Sequence, residues 1–127
     1  MKKFCFLLMI SIVFIVVSGC SKQDSYFSIQ DADSITLFYG IRSYSMHSRD
    51  EDIIKKISDN LNSLSFKETD KQIDGSSMFT IILSKDDESI AQVTVDANGV
   101  YWIDDTAECY EVDSGTFDYD YVKSIYK

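Results

Sequence analysis

An apolar run of 14 residues, Phe4 to Val17, broken only by Ser11, opens the chain behind Lys2 and Lys3. It is shorter than the roughly 20 residues a helix needs to cross hydrocarbon. A positive start, an apolar middle and the small residues Ser18 and Gly19 together match a secretory signal peptide. A single-pass membrane anchor is the competing reading, and Ser18 and Gly19 placed directly before Cys20 argue against it. Residues 1–19 are therefore read as an address, and the fold belongs to the residues after them.

Val17-Ser18-Gly19-Cys20 resembles the lipobox of bacterial lipoproteins. That resemblance implies a diacylglycerol on the Cys20 sulfur and cleavage between Gly19 and Cys20. Acyl chains such as palmitate would then hold the protein on the extracytoplasmic face of the cell membrane. A thiolate is nucleophilic enough to become the thioether, and two or more chains anchor where one holds only marginally. Ser21 to Ser28 is then a short tether, reaching about 25 Å at ~3.3 Å per residue. Beyond the lipobox the chain resembles, more loosely, the small lipoproteins of Gram-positive, AT-rich bacteria. The looser match runs through Ile35 and Leu37, the helical stretch Asp50–Phe66, Phe79-Thr80-Ile81-Ile82-Leu83 and the end centred on Phe117. It implies a location and a non-enzymatic domain, and it supplies no ligand.

Cleavage before Cys20 leaves 108 of the 127 residues, enough for one domain over 29–127. A chain of that size buries well over half of its unfolded surface without metals or disulfides. Cys5 leaves with the signal peptide and Cys20 is lipidated, so Cys109 has no partner for an intramolecular disulfide. Inside Glu108-Cys109-Tyr110-Glu111-Val112 it reads as a small buried hydrophobe. The processed chain carries 10 Lys and Arg against 21 Asp and Glu, a net charge of −11. From Asp86 to Val122 there are eleven acids and no base. Such a surface repels nucleic acid and attracts cations and basic proteins. Solubility is the plainer use of the same charge.

Ser34 to Tyr39 alternates and is β-rich, a first strand, and Ile41 to Met46 reads as a second. Ser48-Arg49-Asp50-Glu51 has capping-box spacing. Behind it Ile53, Ile54, Ile57, Leu61 and Leu64 share one helical face, with Lys55, Lys56, Asp59, Asn60 and Asn62 on the outer one. The helix is expected over 50–64. Lys67 to Ser76 reads as a loop. Strands follow at Met78–Ser84, Ser89–Val95, Val100–Ile103 and Glu108–Val112, with turns at 85–88 and at Asp96-Ala97-Asn98-Gly99. Phe117 to Tyr126 is a short closing helix. The expectation is an α+β fold: a mostly antiparallel sheet, the amphipathic helix across one face, and the other face covered partly by the terminal helix or left as a working surface.

Catalytic motifs such as GxSxG, HExxH, CxxC and the P-loop are missing from the sequence. His47 is the only histidine; beside Ser45 and Ser48 it could serve a hydroxyl, but a solvated loop histidine is the plainer reading. Asp104, Asp105, Glu108 and Asp113, with Asp118 and Asp120 behind them, are the candidate calcium ligands, because hard cations take oxygen donors. Thr94-Val95-Asp96-Ala97-Asn98-Gly99 starts like an EF-hand loop but has Thr94 at the first ligand, so a hairpin turn is favoured. Apart from the lipid on Cys20, no cofactor is expected. Tyr101, Trp102, Tyr119 and Tyr121 are the candidate binding residues: Tyr101 and Trp102 are adjacent and face opposite ways in a strand, and Tyr119 and Tyr121 alternate with acids.

Three functional classes fit these residues. The first is a lipid-anchored binding or sensing module for a protein or wall component. The second is an inhibitor or immunity protein that neutralises a basic hydrolase or toxin, with steep salt dependence. The third is a carboxylate- or metal-dependent enzyme, which requires a cleft with convergent acids.

Overall fold

The computed structural model describes residues 25–41, 44–103 and 107–126. The stretch expected to be a signal peptide, Cys20 and the start of the expected tether lie outside the described residues, as do Asp104 and Asp105. The fold is α+β: among the described residues, a seven-stranded antiparallel sheet with two helices. In chain order the elements are β1 (Ser34–Tyr39), β2 (Ser45–Ser48), α1 (Glu51–Asn62), β3 (Ser65–Thr69), β4 (Phe79–Lys85), β5 (Glu88–Val95), β6 (Tyr101–Trp102), β7 (Cys109–Ser114) and α2 (Tyr119–Ile125). The strands lie in the order β2-β1-β4-β5-β6-β7-β3.

Alternation along the strands sends one set of side chains to the helices. Ile35 and Leu37 of β1, Phe79, Ile81 and Leu83 of β4, Val93 and Val95 of β5 and Tyr101 of β6 are all buried in one core. Ile54, Ile57 and Leu61 of α1 and Val122 of α2 close the same core. Phe79 meets Tyr119 and Tyr126 edge-to-face, at 5.5 Å in both cases, which seats α2 on the helix side of β4. Both helices therefore share one side. The opposite face is covered by no helix among the described residues.

Asp50, not Ser48, caps α1: its carboxylate accepts the N–H groups of Asp52 (2.9 Å) and Ile53 (3.3 Å). Ser48 instead accepts the Asp50 N–H. A carboxylate suits the positive end of the helix better than a hydroxyl does, and Glu51 and Asp52 add to the same effect. Asn60 and Asn62, placed by periodicity on the outer face, hold neighbouring chain. Asn60 donates to Thr116 O (2.6 Å) and accepts from Asp118 N (2.9 Å). Asn62 accepts from Ile29 N (2.7 Å) and donates to Ile29 O (2.9 Å).

Polar composition predicts a loop from Lys67 onward, but Ser65–Thr69 is a strand paired with β7. Only Phe66 in it is apolar, because it forms an edge of the sheet. Edge strands carry charge to deter further pairing, and Lys67 reaches Glu111 at 3.8 Å. The second strand starts later than expected, at Ser45, and both helices are shorter than their apolar patterns.

Gly115 sits between β7 and α2 at φ +92°, a conformation that favours glycine. A Cβ there would lie 2.9 Å from Ser63 O and 3.0 Å from Leu64 Cδ2. Gly115→Ala is expected to destabilise the fold by about 1–3 kcal/mol, read as a lower urea midpoint at unchanged slope. An unchanged midpoint would show that the approach of Gly115 to the end of α1 does not matter.

Candidate functional site

The two halves of the sheet are offset. β5 pairs with β4 over its whole length, Glu88 to Val95, but with β6 only through Thr94 and Val95. β6 stops at Trp102, and Ile103 turns into the core. β7 and β3 follow β6 toward the other end of the sheet, since Tyr101 faces Tyr110 and Glu68 faces Tyr110 from the far side. The first half of β5 thus has no strand on its β6 side among the described residues. Burial follows this step: Glu88 to Ile90 and Gln92 are exposed, Val93 to Val95 buried.

A groove of about 760 Å³ lies beside this half of β5. Its floor is Phe27, Ile29 and Ile103; its sides are Ile90, Ala91 and Gln92 of β5, Trp102 of β6 and Tyr26 of the leading segment. Tyr26 is 52 % exposed, Ile90 43 % and Trp102 39 %. Stacked rings support the floor, Phe27 on Phe66 (6.1 Å) and Phe66 on Tyr101 (5.0 Å), edge-to-face in both cases. Asn62 holds the leading segment in place through Ile29.

Trp102 has a fixed orientation. It stands opposite Thr94, and its indole N–H donates to Cys109 Sγ at 3.2 Å. The thiol is buried, so the polar edge of the indole is already satisfied while the residue lines the groove.

The four aromatic candidates do not form one patch. Tyr101 is buried in the core, and Trp102 points the other way and is exposed. Tyr119 packs on Phe79 and donates its hydroxyl to Ser77 O. Tyr121 lies between the helices, with the Lys56 ammonium 3.7 Å over its ring. Of the four, only Trp102 borders the groove. The described calcium candidates do not converge either. Glu108 precedes β7 and Asp113 lies near its end, five residues or about 16 Å apart along a strand. Oxygen ligands of one calcium ion sit about 2.3–2.6 Å from it. Among the described residues no three His, Cys, Asp or Glu side chains form a metal-binding group. Asp96 commits its carboxylate to N–H groups, accepting from Asn98 and Val100 at 2.9 Å and from Asp74 at 2.8 Å. It is a buried turn-former. His47 is exposed on β2, 3.0 Å from the Thr36 hydroxyl.

The acids nearest the groove crowd each other. Glu68 shares a hydrogen bond with Glu108, and that bond, with the repulsion behind it, raises the Glu68 carboxyl above the usual range. Asp74 is held below it, first by the Ser76 hydroxyl (2.7 Å), then by the Ser76 N–H (3.0 Å).

No protein-family profile, curated protein or solved structure matches the chain significantly. Tyr26, Ile90 and Gln92 do not stand out in the sequence. Ile90 does leave one signal: it falls on the outward register of a strand whose inward set is Ala91, Val93 and Val95.

Burial pushes the Tyr101 phenol up to about 12, with Asp96 adding to the shift. The fold favours the neutral phenol, so this contribution is intact below pH ~10, the free value, and is lost as pH rises through about 12. Unfolding midpoints are expected to fall over that window, and Tyr101→Phe to flatten the fall. Parallel curves for the two proteins would clear Tyr101. Cys109 is expected to react slowly with maleimide in the native protein, and on the order of tenfold faster in Trp102→Ala, because access governs thiol reactivity. Equal rates would mean that the indole does not shield it.

Proposed function

We propose that this protein is a lipid-anchored surface protein whose domain is a non-catalytic binding module, with the lipid on Cys20 and the partner in the groove beside Trp102. One observation carries the reading. Of the five large apolar side chains exposed among the described residues, three (Tyr26, Ile90 and Trp102) border the same groove. Convergence of exposed aromatic and aliphatic groups over a concave, rigid floor marks a recognition surface. Enzyme chemistry gains no comparable support from the described residues, among which neither His47 nor a convergent acid pair lines the groove.

The position also suits the anchor. Tyr26 is six residues after Cys20, about 20 Å of fully extended chain at most. The groove therefore works near the membrane surface, on whatever lies in that layer. The eleven acids from Asp86 to Val122, with no base among them, favour a specific second reading, a neutraliser of a basic hydrolase or toxin. The two readings differ in salt dependence.

Cys20→Ala is expected to abolish incorporation of labelled fatty acid and to release the chain from the membrane fraction. Trp102→Ala is expected to keep its anchor and its far-ultraviolet spectrum, yet to lose most crosslinked capture from a cell-surface extract. Capture confined to low salt would favour the neutraliser. Undiminished capture by the Trp102 variant would remove the groove from the account.

A further inference from the structure

A second cavity, beside α1, is bordered by a buried serine whose hydroxyl has no partner among the described residues. We infer that this cavity seats one lysine or arginine side chain of a partner protein, its stem on an apolar wall and its cationic head against Glu51, Asp33 and Ser58. The cavity shares only Ile29 with the groove, so the inference goes beyond the reading above and does not depend on it.

The leading segment makes the cavity. Asn62 ties that segment to the end of α1 at Ile29. Further on, Asp33 ties it to the sheet, donating its N–H to Ser84 O at 2.9 Å and accepting the Asp86 N–H at 3.0 Å. Between the two ties the chain turns at Asp31, where φ is +59°, a conformation that aspartate adopts more readily than most residues. The space between this turn and α1 is about 350 Å³. Ligand cavities run from about 300 to 1,000 Å³, so this one has room for a single long side chain.

Its walls are of two kinds. Ile29, Ala32 and Ile54 are apolar, and the two isoleucines are buried. Lysine and arginine lay their methylene stems on such surface while the charged head meets polar groups. Ser58 of α1 is 8 % exposed, and its hydroxyl is the unpartnered one. A buried polar group left unpaired costs more than an average hydrogen bond contributes. An incoming N–H donor removes that cost.

Charge decides the head group. Asp31, Asp33, Glu51 and Asp59 border the cavity, with Arg49 and Lys55 as its bases. Both bases are engaged: Lys55 holds Asp59 at 2.7 Å and Arg49 reaches Asp87 at 3.8 Å. Lys85 holds Asp31 at 3.8 Å. What remains is a set of acceptors. The Glu51 carboxylate forms no ion pair among the described residues, one Asp33 oxygen is left over from the Asp86 bond, and the Ser58 hydroxyl completes the set. A metal ion is not the match, since among the described residues no three His, Cys, Asp or Glu side chains form a metal-binding group. An ammonium or guanidinium carries several N–H donors and no acceptor, and so answers all three groups. The chain as a whole has 21 acids against 12 bases. A field of that sign draws a multiply charged basic protein more strongly than a small amine.

The test titrates the full chain in detergent and follows its amide shifts by NMR. The probes are a capped alanine peptide with a central arginine, its lysine counterpart, the same peptide with neutral citrulline, and free n-butylguanidinium. Saturable shifts are expected at the leading turn and along α1 with the arginine or lysine peptide, and none with citrulline. Glu51→Gln and Ser58→Ala are each expected to weaken binding on the order of tenfold, the loss of one hydrogen bond to a charged group. Asp70→Asn, at an exposed acid outside the cavity, is expected to bind as the parent does. Ser58→Ala is also expected to raise the urea midpoint of the free protein, because it removes a buried hydroxyl that has no partner. A serine with only a structural role would show that rise with binding unchanged, and this result overturns the inference. So does a citrulline peptide that binds as tightly as the arginine one, a Glu51 variant no weaker than Asp70→Asn, or binding of n-butylguanidinium without either cationic peptide. Capture through Trp102 from the surface extract is a separate readout: its persistence alongside such a result would leave the groove standing and remove only this cavity.

Discussion

Asn60 grips the chain on both sides of Phe117, through Thr116 O and Asp118 N, and so decides which side of the sheet the last helix occupies. Two turns of chain could otherwise have crossed to the bare face. With the amide satisfied, Val122 and Tyr119 reach the same core as Ile57 and Leu61. Asn62 repeats the device on the leading segment, holding both polar groups of the Ile29 backbone at a partly buried position. One helix thereby holds two separated stretches of chain. The one-sided cover and the groove floor are both results of it.

Hydrophobic periodicity carried much of the architecture. β1 was legible to the residue, because Ser34–Tyr39 alternates cleanly against a buried centre, and β4 and β5 were legible to within a residue. β3 was not. Its residues Lys67 and Glu68 answer to an edge position, which is a property of the assembled sheet. The cap of α1 is ambiguous in sequence for a related reason: Ser48 and Asp50 both suit a helix start, and the strand pairing of Ser48 with Ile35 removes it from the choice.

The candidate site was less legible than the fold. Composition pointed to aromatics, and of four named residues Trp102 alone borders the groove. Alternation predicted that Tyr101 and Trp102 would face apart, and they do. What sets Trp102 beside the groove is the end of β6 at that residue, beyond which the first half of β5 has no β6 partner among the described residues. That is a fact of strand offset between segments far apart in sequence, and no local pattern encodes it. The two described calcium candidates lie apart for a local reason. Glu108 and Asp113 are close in sequence, but an extended strand turns that closeness into length.

The leading segment has a further mechanical meaning. If Cys20 is the point of attachment, anchor and groove are in series: the end of the segment expected to be tether, Tyr26 to Ser28, together with Ile29 lines the groove itself. A pull between the membrane and a bound partner enters the domain here, where the two Asn62 bonds to Ile29 resist it. A pull from the tether meets the Tyr26 N–H bond to Leu64 O (3.2 Å) first and the Ile29 bonds after it, so tension would peel Tyr26 and Phe27 from the groove before it reached the sheet. Grip and load would then be coupled in one short segment, and a partner under strain would be released before the domain unfolded.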